Sequence, residues 1–409
     1  MEQSKHTSQQ VVPSTWLTRI MLAVLPVLGG FILFAGMARP AQAVPVFARQ
    51  TGFSCDVCHF QHYPKLTAFG RWFKAHGYSM TAPDKLMPGN PSIANTLSPA
   101  FEVKTSYADS TGKAAKPGSF GMEGSLFLGG RLAHGVGGIV EYGGNLVNGK
   151  VSYTKNVGPV TVGVTPFMTS EAGAQYGFEL LSDGVYKFSR PFLGGGGNSI
   201  SGGDNPNLNF AQAAEGVAFD LWNPSWFVTY TPFGDTSTGL NPIGLNWSQY
   251  VRAAYTPTVG NWDLALGGGK YLGSTTLASG SAAVLSNTNA WFVDAQAQGQ
   301  LLDHDLGLYA VYANGDAQGA NNLFGSASAA DVSKSFSASA EYTMIPHYDV
   351  VAGYGHDYTG DTASSFDSYT VGFDFTPSEN IQIIPSFTTY AGDGRPMDNQ
   401  SSILFWTMF

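Results

Sequence analysis

From about residue 99 to the C-terminus, apolar and polar side chains alternate with a period of two, segment after segment. In residues 291–298, Trp291, Val293, Ala295 and Ala297 fall on one face, and Asp294, Gln296 and Gln298 on the other. Phe336, Ala338, Ala340 and Tyr342 alternate with Ser335, Ser337, Ser339 and Glu341. Tyr369, Val371, Phe373 and Phe375 alternate with Ser368, Thr370, Gly372 and Asp374. Extended chain puts successive side chains on opposite faces, so these segments read as β-strands with one apolar and one polar side. A soluble sandwich shows the same alternation, and the connections must separate the two.

Sixteen strands are expected, near 100–108, 123–133, 136–147, 151–156, 160–168, 215–221, 225–232, 246–256, 261–271, 289–301, 305–313, 333–343, 348–358, 366–375, 380–390 and 401–409. Short connections lie at His134–Gly135, Trp222–Pro224, Pro257–Gly260, Leu302–His304, Met344–His347 and Thr376–Glu379. Long ones lie at 109–122, 169–214, 233–245, 272–288, 314–332 and 391–400, with 359–365 intermediate. Short turns alternating with long loops, around an even number of strands, is the pattern of a bacterial outer-membrane barrel. The expected fold is mainly β: a 16-stranded antiparallel outer-membrane β-barrel over residues 99–409, with the short turns and both termini on one side. The last segment, Ile403 to Phe409, is apolar on both faces, so its inner face is expected to pack against something within the barrel. A terminal aromatic such as Phe409 resembles the assembly signal of outer-membrane barrels. Trp222, Trp226, Tyr312, Tyr342, Tyr348 and Tyr390 sit near expected strand ends, where an interfacial girdle belongs.

Composition agrees. Charged residues are 12% of the chain, about half the usual share, while aromatics are 13% and Gly numbers 51 of 409. Lys5 and Arg19, the apolar stretch Ile20–Met37 and the A-x-A site Ala41-Gln42-Ala43 make residues 1–43 an expected secretory signal peptide. Its removal takes away Lys5, Arg19, Arg39 and Glu2, and the formal charge falls from −9 to about −11. That balance, without a basic stretch, argues against nucleic acid as a partner.

Residues 44–98 differ from the rest. Cys55-Asp56-Val57-Cys58-His59 is a C-x-x-C-H box, the attachment site of a c-type haem, and the chain has no other cysteine. The thiols of Cys55 and Cys58 add to the haem vinyl groups, and the His59 imidazole takes one axial position on the iron. Half a zinc site would use the same residues but finds no second cysteine pair. Phe60, Tyr63, Leu66, Phe69, Trp72 and Phe73 supply apolar bulk for one porphyrin face, and Lys65–His76 has helical spacing. The cluster Pro88-Gly89-Asn90-Pro91 reads as a linker. The domain plan is signal peptide 1–43, a small α/irregular monohaem plug segment 44–98, and barrel 99–409.

Several candidates surround the box. Met80 is the candidate distal ligand, since a thioether raises the haem potential, with His76 and His62 as alternatives and an open or water-held position as a third. Arg49, Arg71 and Lys74 are candidate partners of the haem propionates, or else solvated surface cations. Carboxylates at Glu171, Glu179, Asp183, Asp204 and Asp393 lie in expected loops, and none stands out as an iron site.

Phe47 to Gly52, Ser54 with the box, and Pro64-x-Leu66-Thr67-x-x-Gly70-Arg71-x-Phe73-Lys74-x-x-Gly77-Tyr78 together resemble the fused monohaem cytochrome–porins, outer-membrane iron oxidases of iron-oxidising bacteria. The resemblance is specific over residues 44–80 and architectural over the barrel. The chain departs from that pattern in placing four residues, rather than three, between His59 and Pro64. The resemblance implies one covalent c-type haem on Cys55, Cys58 and His59. It also implies extracellular Fe(II) as donor, a periplasmic cytochrome c or cupredoxin as acceptor, and outer-membrane lipid around the barrel. Two other readings share the architecture: a conduit for another donor, and a diffusion porin whose haem only braces the plug.

Overall fold

Sixteen antiparallel strands close on themselves. The computed structural model describes residues 46–80, 98–112, 118–143, 146–170, 172–181, 213–234, 247–279, 282–315, 333–358 and 365–409. The signal segment 1–43, the linker 88–91, Glu171, Asp183, Asp204 and the glycines 194–197 lie outside the described residues.

The barrel strands are β1 Ser98–Thr111, β2 Ser119–Ala133, β3 Val136–Gly143, β4 Leu146–Val157, β5 Val160–Thr169, β6 Ala214–Asn223, β7 Trp226–Gly234 and β8 Ser248–Tyr255. They continue as β9 Trp262–Leu272, β10 Ala290–Leu301, β11 His304–Gly315, β12 Ser333–Ile345, β13 Tyr348–Tyr358, β14 Phe366–Ser378, β15 Ile381–Ala391 and β16 Asn399–Met408. Each pairs with the next, and β16 returns to β1 in a register running from Glu102 opposite Met408 to Thr111 opposite Asn399. The Phe409 N–H donates to the Phe101 carbonyl at 2.8 Å, and the Phe101 N–H returns to Phe409 at 3.1 Å. Closure therefore reaches the last residue, and among the described residues the barrel sheet has no open edge, as lipid requires.

Two segments differ from the expectation. The strands expected at 136–147 and 151–156 are instead Val136–Gly143 and Leu146–Val157. β3 ends at Gly143 and β4 begins at Leu146. The 272–288 connection is not plain loop: Ser274–Ser279 and Ala282–Asn287 pair as a separate two-stranded sheet.

The alternation sorts side chains into lipid and lumen. On β14, Tyr369, Val371 and Phe373 are 50–56% exposed, while Ser368, Thr370 and Asp374 are at most 3%. The barrel exterior is apolar and the interior polar, which is the architecture of an outer-membrane barrel. The girdle is corrected in part. Trp222 and Tyr390 are buried and point inward, whereas Tyr348 is exposed and is joined outside by Tyr142, Tyr153, Tyr255 and Trp291. Position near a strand end is not enough for the girdle; the parity of the residue decides.

Before the barrel come three short helices: α1 Val46–Thr51, α2 Cys55–Cys58 and α3 Ala68–Ala75. The helical spacing begins at Lys65, but α3 starts later because the Thr67 hydroxyl caps it, accepting the Gly70 N–H at 3.1 Å. Leu66 is held outside the helix by a bridge to His59. The wall residues that meet this segment include Pro99, Arg131, Gly135, Thr161, Trp222, Asp263, Glu341, Asp374, Glu379 and Gln382. These lie towards the short-turn ends of their strands. The helical segment is thus a plug inside the short-turn mouth of the barrel, and residues 44–409 form a single compact unit.

Candidate functional site

Cys55 and Cys58 stand at the two ends of the one-turn helix α2, three residues apart and hence on one side of it. Both are half-buried free thiols. Burial, and then the Glu379 carboxylate, pushes the Cys55 thiol up to about 12; burial likewise raises Cys58. Glu379, in the turn after β14, also accepts the Cys55 N–H at 3.1 Å, which ties the box to the wall.

The strand-like return 65–67 grips the other side of α2. The Thr67 N–H donates to the Cys58 carbonyl at 3.0 Å, and its hydroxyl to the Val57 carbonyl at 2.8 Å. α3 then crosses so closely that a Cβ on Gly70 would overlap the Cys58 carbonyl oxygen. His59 follows in an extended conformation. Its Nδ1 lies 3.0 Å from the Lys65 carbonyl, which also accepts the Phe60 N–H at 3.1 Å. A carbonyl partner requires Nδ1 to carry the proton, leaving Nε2 as the ligating nitrogen. Burial lowers the His59 pKa to about 4, so the ring is neutral at neutral pH. Phe53, Phe69 and Trp72 form a row of ring contacts at 5.7 and 5.5 Å, and Phe53 is 36% exposed. Two thiols on one side, an oriented neutral imidazole and adjoining aromatic surface fit a covalent c-type haem.

The other candidates have distinct surroundings. His76 places Nδ1 2.8 Å from the Trp72 carbonyl and Nε2 3.3 Å from the Thr161 hydroxyl, and packs between Trp72 and Trp222. His62 points away into the wall, where both its nitrogens are engaged. Met80 is half-buried at the end of the described plug. Arg71 is buried in a two-pronged pair with Asp263 of β9, at 2.6 and 2.7 Å, so it anchors α3 rather than facing solvent. Arg49 is exposed and donates to the Pro99 carbonyl. Lys74 is half-buried and close enough to His59 to act on its charge.

Sequence reading missed the plug's main anchor. The loop 60–65 carries Gln61, His62 and Lys65 to Glu341 of β12 and Asp374 of β14. The Lys65 ammonium is 2.7 Å from Glu341, and His62 Nε2 is bonded to Glu341 and 3.3 Å from Asp374. The Gln61 amide donates to the Glu341 carbonyl at 3.2 Å and accepts from Lys65 at 2.6 Å. Burial pulls the His62 pKa down, but Asp374 and Glu341 overcome it and hold the ring at about 9, against opposition from Lys65. The signal was present in the sequence as acidic residues at inward positions of otherwise small, neutral strand faces. Nearby, Tyr63 packs edge-on to Trp406 of β16 with ring centroids 4.9 Å apart, and Gln382 donates to the Tyr63 carbonyl at 2.8 Å. This meets the expectation that the inner face of the last strand packs against something within the barrel, and that something is the plug segment.

A second layer comes from the long 169–214 connection. Its residues 172–181 run back into the lumen. Gln175 accepts from Tyr271 at 2.6 Å, and the Tyr176 carbonyl accepts from Lys150 at 2.8 Å. Glu179 is buried, not solvated. It pairs at 3.1 Å with Arg252, which also grips Asp294 at 2.6 and 2.8 Å between the rings of Phe227 and Phe292. Phe178, Leu180 and Leu181 share an apolar cluster with Ala75 and Trp72 of the plug. Plug and inturned loop therefore brace each other.

No family model matches the chain, and no curated protein does. Among solved structures, Pseudomonas putida OprB at high pH is similar with TM-score 0.56 and 11% identity, covering 77% of this chain and 94% of that one. A porin refined at 1.8 Å is similar with TM-score 0.49 and 14% identity, covering 76% and 100%. A loop-deletion mutant of Vibrio cholerae OmpT gives 0.47 and 14%, covering 77% and 99%. At these identities the likeness to OprB speaks for the barrel fold alone.

Proposed function

We propose that the protein is an outer-membrane electron conduit that oxidises extracellular Fe(II) and passes single electrons to a periplasmic cytochrome c or cupredoxin. The observation that carries this reading is the C-x-x-C-H box, held inside the short-turn mouth with its histidine oriented by the Lys65 carbonyl. Short turns face the periplasm in such barrels. That orientation supports a soluble acceptor on the side of the box and a donor on the side of the long loops. Cys55 and Cys58 would hold one c-type haem and His59 would ligate its iron; the haem supplies a one-electron redox centre. Fe(II) gives up one electron and leaves as Fe(III), and the acceptor gains that electron. The chain's own residues hold the centre in place, through Arg71–Asp263, Glu379 and the Glu341 cluster, and wall it with Tyr63 and Trp406. Fe(II) as the donor rests on the resemblance of residues 44–80 to the cytochrome–porins.

The test is optical. The oxidised protein, purified in detergent, receives Fe(II) without oxygen at acidic and neutral pH while the haem α-band is followed. Prompt reduction is expected. Reduction by dithionite but not by Fe(II) would point to another donor. A second reading, a diffusion porin whose haem braces the plug, draws on the polar inner wall. Liposomes carrying the protein would then admit small solutes, which the conduit reading does not require.

A further inference from the structure

We infer that His62, Glu341 and Asp374 form a binding site for a divalent first-row transition-metal ion inside the lumen. Resting on the conduit reading, Fe(II) occupies this site beside the box on its way to giving up its electron. The three side chains come from the plug, β12 and β14, and one ligand atom of each lies within 4.8 Å of the others. All three are buried. One imidazole and two carboxylates suit Fe(II), Mn(II), Co(II) or Zn(II).

The surroundings are arranged as around a metal. His62 Nδ1 lies 2.8 Å from the Tyr63 carbonyl, so a proton on Nδ1 leaves Nε2 to ligate. Glu341 divides its carboxylate: Oε2 pairs with Lys65 Nζ at 2.7 Å, and Oε1 faces His62. Asp374 is the independent observation. Its side chain is 0% exposed, and neither Oδ1 nor Oδ2 has a hydrogen-bond partner. His62 Nε2, 3.3 Å from Oδ2, is already bonded to Glu341. A buried carboxylate left so is costly, and a bound cation removes the cost. Charge agrees. Lys65 offsets one of the carboxylates of Glu341, Asp374 and Asp349, the last tied to Thr343 on the same wall. Three carboxyl groups thus face one ammonium, an excess of acidic groups that suits a cation. His62 is three residues from His59, and the Tyr63 ring lies against His59 with centroids 5.1 Å apart.

The experiment uses the full haem-loaded protein in detergent, dialysed against Co(II), a stand-in that Fe(II)-type sites accept and that does not reduce haem. Bound cobalt is counted by elemental analysis. One cobalt per chain is expected, with affinity at least tenfold weaker in Asp374→Asn, an isosteric change that leaves the His62–Glu341–Lys65 contacts in place. No stoichiometric cobalt, or equal affinity in the variant, would overturn the site. Far-ultraviolet circular dichroism and the haem spectrum of the variant, unchanged, exclude misfolding as the cause. Fe(II)-driven haem reduction should slow in Asp374→Asn while dithionite-driven reduction does not; equal Fe(II) rates would overturn the Fe(II) role. Cobalt bound normally, with no haem reduction by Fe(II) in the native chain, would overturn the conduit reading and leave the metal site standing.

Discussion

At the scale of the residue, the plug depends on a few atoms that no neighbouring residue type could replace. Gly70 is the clearest. Its missing side chain is what lets α3 lie on the Cys58 carbonyl. Gly70→Ala must push α3 off the box or distort α2, an overpacking cost of about 1–3 kcal/mol. Lower covalent haem content at unchanged barrel yield is the expected outcome, measured by haem staining against total protein. Cys55→Ala with Cys58→Ala should abolish covalent haem entirely while the barrel still assembles, read by the same stain and by heat-dependent gel mobility. Of the candidate haem residues, Cys55, Cys58 and His59 are proposed from spacing alone. The Lys65 carbonyl that orients His59 was not legible, because a backbone acceptor leaves no mark in the side-chain pattern. The extra residue between His59 and Pro64 falls in the loop that carries Gln61 and His62 to the wall, a role visible only once β12 and β14 are in place.

At the scale of the element, α3 is short and would not hold alone in water. Its place is set by Arg71 on Asp263 and by His76 against Trp222. Arg71→Met leaves the half-buried Asp263 carboxylate without this partner, a loss of about 1.5–3 kcal/mol from the plug's docking. Limited proteolysis should then cut within 46–80 at least tenfold faster, with the barrel resistant. The paired change Arg71→Met with Asp263→Leu should recover most of that loss. For the strands, the period of two was legible nearly everywhere, and the error at 136–157 has a plain cause. Gly149, inside β4, reads as turn material, but it opposes Val140 within a continuous ladder. The sequence shows composition at each position, and pairing decides which glycines turn.

At the scale of the whole molecule, lipid outside and a filled lumen inside divide the residues of every strand. Val371 is 56% exposed near the middle of β14, and its neighbour Thr370 is 3% exposed. Val371→Arg should destabilise the barrel by about 2–4 kcal/mol, the cost of a cation on the lipid face near the midplane. Denaturant titration in lipid vesicles measures it, and the same test on Thr370→Ser should show no more than a few tenths. The amino-acid sequence by itself determined the closed antiparallel barrel, its strand number and the place of the C-x-x-C-H box, because periodicity, turn spacing and a five-residue motif are local and need no partner. Only the tertiary structure decided that the box lies within the short-turn mouth and that residues 172–181 fold back to brace it. It alone brought His62, Glu341 and Asp374 together. Those contacts join positions up to some three hundred residues apart, and nothing in one strand's pattern says which strand will stand across the lumen from it.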